Sequence, residues 1–416
     1  MVKKEILGDV NQNFFFGYYD KSPWNDYDNK ILSHSIKIKN NLPTVNDFAE
    51  VGFFEKNKKW EFKKIDQTNL WNYQQGAMLQ WISNEEIIFN QLYKNKIASK
   101  IINLNNQKNT YIDLPIYALS NNKKYFLSTS FDQISLNRKG YNLPYIENVK
   151  LDRSNHGIWF YDLKNNIKKN IIPFEFFFDN DFIKNDKCWI DHIIISPNDD
   201  KFVFFLRNNT SDGGVYTRLF KYDFLTQNTE CILDTGMASH GDWLDDKTFI
   251  IWARKSKVAK TILKNEESKI INVFKKIYRK VKIPNWFRNN IFKDRFLLID
   301  FKTKKNKYAF KNLPLEIGGG HFTIEKKTKN WVLNDTPLNN KNTRELIIHD
   351  IYGNNKIVLD ELYADPKIHF SPIRCDLHPR WNHDKTKVCI DNINENGNRS
   401  IVLYDISQLN LLKKLK

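Results

Sequence analysis

The sequence predicts an all-β fold, a seven-bladed β-propeller of four-stranded antiparallel blades with one basic helical insertion. Three observations predict it. An apolar run, a short polar turn and a second apolar run recur seven times along the 416 residues; each such hairpin is followed by a second of different character; and one stretch, 255–295, breaks the pattern. Residues 1–416 are read as a single propeller domain, because length alone does not count domains in an architecture that adds blades around an axis.

The inner hairpins fall around Ser22 to Ser33, Gly76 to Asn90, Tyr117 to Ser130, His192 to Leu206, His240 to Ala253, His321 to Asn334 and His378 to Asp391. Their turns, such as Ser196-Pro-Asn-Asp, Ser120-Asn-Asn-Lys and Asn382-His-Asp-Lys, are rich in residues that tolerate tight backbone. Outer hairpins follow near Val51 to Lys64, Lys100 to Tyr111, Ile158, Leu219, Phe296 to Tyr308, Leu346 and Ile401 to Leu409. Seven inner and seven outer hairpins make seven four-stranded sheets, which a propeller arranges radially with only short edges exposed. A pair of β-sandwiches also has many short strands, but not this alternation.

The insertion at 255–295 carries thirteen Lys or Arg against three acids, ten of the formal net charge of +17. Ile270, Val273, Phe274, Ile277, Tyr278 and Val281 fall at helical spacing with cations between them, and Pro284 ends the run. Such a helix either covers the propeller or lies on an anionic membrane, a peripheral contact at the inner surface. The +17 charge points to an acidic partner such as an anionic glycan, whereas no nucleic-acid-binding motif accompanies it, so nucleic acid is not expected. With 41% hydrophobic and 14% aromatic residues the chain is not disordered. Four scattered cysteines and an N-terminus without an apolar stretch predict a reducing, cytoplasmic setting.

Aligning the inner hairpins on their turns places four histidines at one register: His192 before Ile195, His240 before Trp243, His321 before Ile324 and His378 before Trp381. The innermost strands of a propeller run along the central channel, so these imidazoles meet at one mouth, where they can bind a divalent metal, act as acid or base, or hydrogen-bond sugar hydroxyls. Gln74, Gln75, Arg374, Arg380 and Asp376 lie near the same strand ends, Tyr216 and Arg218 open an outer hairpin, and His156 precedes an outer strand. An arginine there suits a carboxylate, because its planar fork makes two parallel charge-assisted bonds. Gly-x-Ser-x-Gly, His-Glu-x-x-His, P-loop and Rossmann patterns are absent, which disfavours serine hydrolases, zincins and dinucleotide enzymes.

The motifs His192-x-x-x-Ser196-Pro197, Ser239-His240-Gly241-Asp242-Trp243, Gly320-His321 and Cys375-Asp376-Leu377-His378-Pro379-Arg380-Trp381 resemble those of the seven-bladed propeller polysaccharide lyases. That group includes oligogalacturonate and ulvan lyases and shares its architecture with TolB-type propellers. The resemblance implies β-elimination on uronate glycans, with His240 as the catalytic histidine, Arg218 as its arginine, and His321 and His378 holding one divalent metal, Mn or Zn. It offers Tyr216 for the ulvan-lyase tyrosine and leaves His192 as a further acid–base candidate. The oligogalacturonate-lyase metal site has another histidine and a glutamine near the last blade's histidine, absent here; Asp376 replaces a ligand, or Arg380 replaces the cation. Gln74, Gln75, His156, Arg374 and Arg380 are the candidate substrate contacts. Enzymes of surface-polysaccharide assembly, such as a membrane-associated glycosyltransferase, and non-catalytic glycan- or protein-binding propellers are the alternative readings.

Overall fold

The computed structural model describes residues 2–9, 12–144, 156–184, 187–210, 213–255, 294–314, 317–409 and 411. Seven four-stranded sheets form the seven blades. The first comprises Asn13–Phe15, Lys30–Ile36, Ala49–Lys56 and Trp60–Thr68, innermost strand first; the fourth, Cys188–Ile195, Lys201–Asn209, Val215–Asp223 and Asn228–Gly236. The fifth has Ala238–Asp245, Thr248–Arg254, Asp294–Asp300 and Lys305–Tyr308, and the sixth Phe322–Ile324, Trp331–Asp335, Thr343–Asp350 and Lys356–Tyr363.

Two elements differ from the sequence reading. The inner strand of the first blade is Asn13–Phe15, while Trp24 makes only an isolated bridge to Ile31. The seventh blade takes Arg380–Trp381, Lys387–Ile393 and Arg399–Asp405 from the end of the chain, and its outermost strand is Lys3–Leu7, not the residues after Ile401. Lys3 faces Asp405 and Leu7 faces Ile401, so the two ends of the chain zip the ring shut. Closure this way pairs an edge that would otherwise stay open. Most of the basic insertion, 256–293, lies outside the described residues; Asp294 and Arg295 belong to a strand, and Arg254 ties Asp294 at 2.8 and 3.0 Å at the base of the excursion.

The blades repeat because the same local chemistry repeats. The third strand of five blades ends in an aspartate, at positions 162, 223, 300, 350 and 405. Each carboxylate accepts from the backbone N–H two residues on, as Asp223 does from Leu225 at 3.1 Å and Asp300 from Lys302 at 2.9 Å. This Asx turn closes the outer hairpin. Between blades, an inner-strand tryptophan donates to the backbone of the preceding blade: Trp81 to Pro23 at 2.8 Å, Trp243 to Ile194 at 3.1 Å and Trp381 to Thr323 at 3.2 Å. Burying the indole contributes packing while its N–H finds a partner. Among the described residues, no helix is long and apolar enough to cross a membrane.

Candidate active site

Each of the four registered histidines sits where its inner strand leaves the regular ladder. In the fourth blade the pairing skips from Asp191 to Ile194, and in the fifth from Ala238 to Gly241, so His192 and His240 are free of strand register. His321 immediately precedes its inner strand and His378 stands one residue before its own, across Pro379, and His192 and His378 adopt left-handed backbone with φ of 54° and 44°. Non-glycine residues held there cost of order 1–3 kcal/mol and concentrate at functional sites.

The rings converge. His240 and His321 centroids lie 3.9 Å apart, His321 and His378 4.5 Å, and His192 and His240 6.5 Å. Tyr18 and Tyr19 of the first blade close the group from the far side, Tyr18 at 4.9 Å from His378 and Tyr19 at 5.4 Å from His321. The tyrosine segment is held by the seventh blade. Asp391 accepts from the Phe16 and Gly17 N–H groups at 2.9 and 3.1 Å, and Arg380 donates to the carbonyls of Gly17 and Tyr18. Gly17 has φ of 135°, and a Cβ there would sit 2.8 Å from the Gln75 backbone, so only glycine lets the chain turn inward.

At one end of the group, Tyr18 Oη donates to His192 Nε2 at 2.5 Å, and His192 Nδ1 donates to Asp191 at 2.7 Å. Asp191 also accepts from Arg207 and Trp189, both at 2.9 Å, and from Arg138. Burial works against its charge, but Arg207, His192 and Arg138 outweigh that and hold the carboxyl well below its usual range. Burial lowers His192 to about 4, so the imidazole is neutral at physiological pH.

At the other end, His321, Asp376 and His378 place one ligand atom each within 4.8 Å of one another. His321 donates from its backbone N–H to Asp335 at 2.5 Å and from Nδ1 at 3.2 Å, which leaves Nε2 free. His378 Nε2 is buried without a hydrogen-bond partner among the described residues. Burial, reinforced by His321, holds both His378 and His240 well below the ordinary histidine range. Asp376 accepts from Arg374 at 2.8 Å and lies 3.6 Å from Arg344; against the cost of burial, Arg374 and the neighbouring His321 keep it ionised. Two imidazoles and a carboxylate, one imidazole oriented by a second carboxylate and another with an orphaned nitrogen, fit a divalent cation.

Outward of this trio is a cleft of about 420 Å³ lined by His240, His321 and Asp376, the Gly319-Gly320 backbone, Arg138 stacked at 3.8 Å on Tyr141, Arg344, Arg374, His369 and Phe370. The other residues singled out from sequence are placed as follows. Gln74 Nε2 donates to the Arg374 carbonyl at 2.9 Å and Gln75 Nε2 to Tyr117 Oη at 3.3 Å, both buried behind the cleft. Arg380 is committed to the tyrosine segment. His156 pairs with Asp132 at 3.1 Å. Arg218 and Tyr216 form a separate group on the third strand of the fourth blade, Arg218 bonding Asn208 at 3.0 Å and Tyr216 bonding Asp234 at 2.7 Å. Two strand spacings, roughly 10 Å, separate that strand from the innermost one. Tyr18, Tyr19, Arg138, Tyr141 and Arg344 were not singled out, though the Phe-Phe-Phe-Gly-Tyr-Tyr run at 14–19 is an aromatic block interrupted by the one residue that permits the turn.

No protein-family model matches the chain, and no curated protein matches it in sequence. Solved structures do. An oligogalacturonate lyase in complex with manganese superposes with a TM-score of 0.61 at 10% identity, over 97% of this chain and 96% of its own. The oligogalacturonate lyase of Vibrio parahaemolyticus gives 0.59 at 10% identity over 97% of each. At this identity the likeness shows the seven-bladed fold.

Proposed function

We propose that the chain is a carbohydrate-active propeller that cleaves uronate-containing glycans by β-elimination in the cleft above the histidine cluster. The observation that carries this reading is His240. Its Nδ1 donates to the Gly320 carbonyl at 3.1 Å, so Nε2 keeps its lone pair, and the ring faces the same cleft as three arginines. A neutral imidazole beside concentrated positive charge is what abstraction of the weakly acidic proton alpha to a uronate carboxylate requires.

His321, His378 and Asp376 would hold a divalent cation, a reading that the manganese of the similar lyase supports. When bound, such a cation supplies Lewis acidity that neutralises the carboxylate of the reacting sugar. His240 takes the alpha proton on Nε2 while the Gly320 carbonyl fixes its tautomer; the released electron pair forms the ring double bond and expels the glycosidic oxygen from the beta carbon, which takes its proton from water. Burial of His240 keeps it unprotonated and ready to accept at neutral pH. The Gly319-Gly320 backbone lines the cleft, and Gly320 must be glycine because a Cβ there would overlap the Asp335 carbonyl.

The experiment is to incubate the protein with uronate oligosaccharides and Mn²⁺ and follow the ultraviolet absorbance of the unsaturated product. Absorbance should rise and be lost by His240→Ala, whereas Arg218→Ala, in its separate group, should retain most of it. No product from folded protein across a broad uronate panel overturns the assignment.

A further inference from the structure

Asp376 and His378 stand on a stretch that no strand ladder fixes. Between the short helix Pro366–His369 and the inner strand Arg380–Trp381, residues 373–379 belong to no helix or strand. Buried carbonyls in such a stretch still need partners, and the donors have to come from elsewhere. Here three successive carbonyls are held by side chains from three separate parts of the ring. Arg399, at the start of the third strand of the seventh blade, donates from Nη2 to Ile373. Gln74, in the connection between the first and second blades, donates from Nε2 to Arg374 at 2.9 Å, and Arg344, in the third strand of the sixth blade, donates from Nη2 to Cys375 at 2.8 Å. Two residues on, the Leu377 carbonyl accepts from the Asp391 N–H at 2.9 Å.

The three holding side chains are themselves fixed. Arg399, Gln74 and Arg344 are 1%, 0% and 2% exposed, so packing leaves them little freedom. The Arg399 guanidinium lies 4.1 Å from the centre of the Tyr73 ring, and the Gln74 N–H donates to Asn72 Oδ1 at 3.0 Å. A charged donor on a carbonyl makes a stronger bond than a neutral one and fixes direction as well as distance. With its carbonyl held by Gln74, Arg374 reaches Asp376 from Nε at 2.8 Å. Cation ligands have to fall within about 0.2 Å of their places, a precision that an unsupported loop does not supply. We infer that Arg399, Gln74 and Arg344 are positioning residues, which clamp the carbonyls of 373–375 and thereby set Asp376 and His378 at the spacing a cation needs. This rests on the proposed cation trio and adds what orients two of its three members.

The test is titration of the full chain with Mn²⁺, read by the electron paramagnetic resonance of the free ion, with amide hydrogen exchange across 371–379 on the same samples. Gln74→Met and Arg399→Met each remove a donor at similar length. They should weaken Mn²⁺ binding by roughly 10–100-fold and speed exchange of the 373–377 amides. Arg399→Lys, which keeps a cationic donor, should restore most of the affinity. Trp331→Phe removes a buried bond to the Leu411 carbonyl, well away from the clamp, and should leave the affinity unchanged. Unchanged affinity in both Met variants, or an equal loss in Trp331→Phe, overturns the clamp. Its failure and that of the lyase reading are distinguishable. Mn²⁺ binding with the expected pattern but no unsaturated product removes the lyase reading and leaves the clamp. If the wild type takes up no Mn²⁺ the cation reading falls and exchange decides: 373–377 amides unchanged in both Met variants overturn the clamp, and faster ones retain it.

Discussion

The two ends of the histidine cluster are built from the same residue types and solve opposite problems. Around His192 every strong donor meets an acceptor: Asp191 takes bonds from His192, Arg207, Arg138 and Trp189, and Tyr18 closes the chain on His192. Around His378 the accounting is open, with His378 Nε2, Arg344 Nε and His369 Nδ1 buried and unmatched among the described residues. A saturated network is an anchor, whereas buried polar atoms left open beside a cleft are where a ligand can add bonds. The lesson is that four histidines in one register do not share one role.

Asp191 holds the closed end together. Asp191→Ala strands two arginines in the interior and should cost about 3–5 kcal/mol in urea unfolding. A loss under about 1 kcal/mol would mean the His192 end is no anchor. Acid probes the same end more gently. Unfolded histidine protonates near 6.5 and folded His192 near 4, so between those values the unfolded chain holds the extra proton and stability falls as pH drops. The loss assignable to His192 should reach about 3 kcal/mol by pH 4, seen as proton uptake on unfolding at pH 5 that shrinks in His192→Gln.

The open end responds to ligand. Saturating Mn²⁺, at about a hundredfold over its dissociation constant, should stabilise the wild type by about 2.7 kcal/mol, and His378→Ala should abolish that increment in a thermal melt. An equal metal-induced shift in His378→Ala would remove His378 from the cation site. Asp335→Asn tests the second carboxylate behind His321. Cation affinity should fall by roughly 10–100-fold by competition with a chelator, since an outer-shell acceptor orients the ligating ring.

Much of the fold was legible because its signals are local. The turn residues at Ser196-Pro-Asn-Asp or after Asp223 act within a few positions of themselves, and reading them in order recovers every hairpin but the inner one of the first blade, whose inner strand is Asn13–Phe15, and the outer one of the seventh. The seventh-blade pairing of Lys3–Leu7 with Arg399–Asp405 joins residues some 400 apart and leaves no local mark. The histidines were legible because strand register carries them, whereas Tyr18, Tyr19, Arg138 and Arg344 reach the cluster from a departing loop, from beside a short helix and from the start of a third strand, where register against the turns gives no alignment. Arg218 and Tyr216 stand out in the sequence at the start of an outer hairpin and again through resemblance, and their neighbourhood is Asn208 and Asp234.

The zip between the two chain ends sets a schedule for biosynthesis. The tyrosines of the first blade are synthesised long before the groups that hold them, Asp391 and Arg380, which lie 375 and 362 residues further along the chain than their partners Phe16 and Tyr18. Until then the nascent chain carries an unpaired terminal strand and half a channel wall, surfaces that invite chaperone binding. The histidine cluster therefore gains its tyrosine wall only when the seventh blade closes on the first.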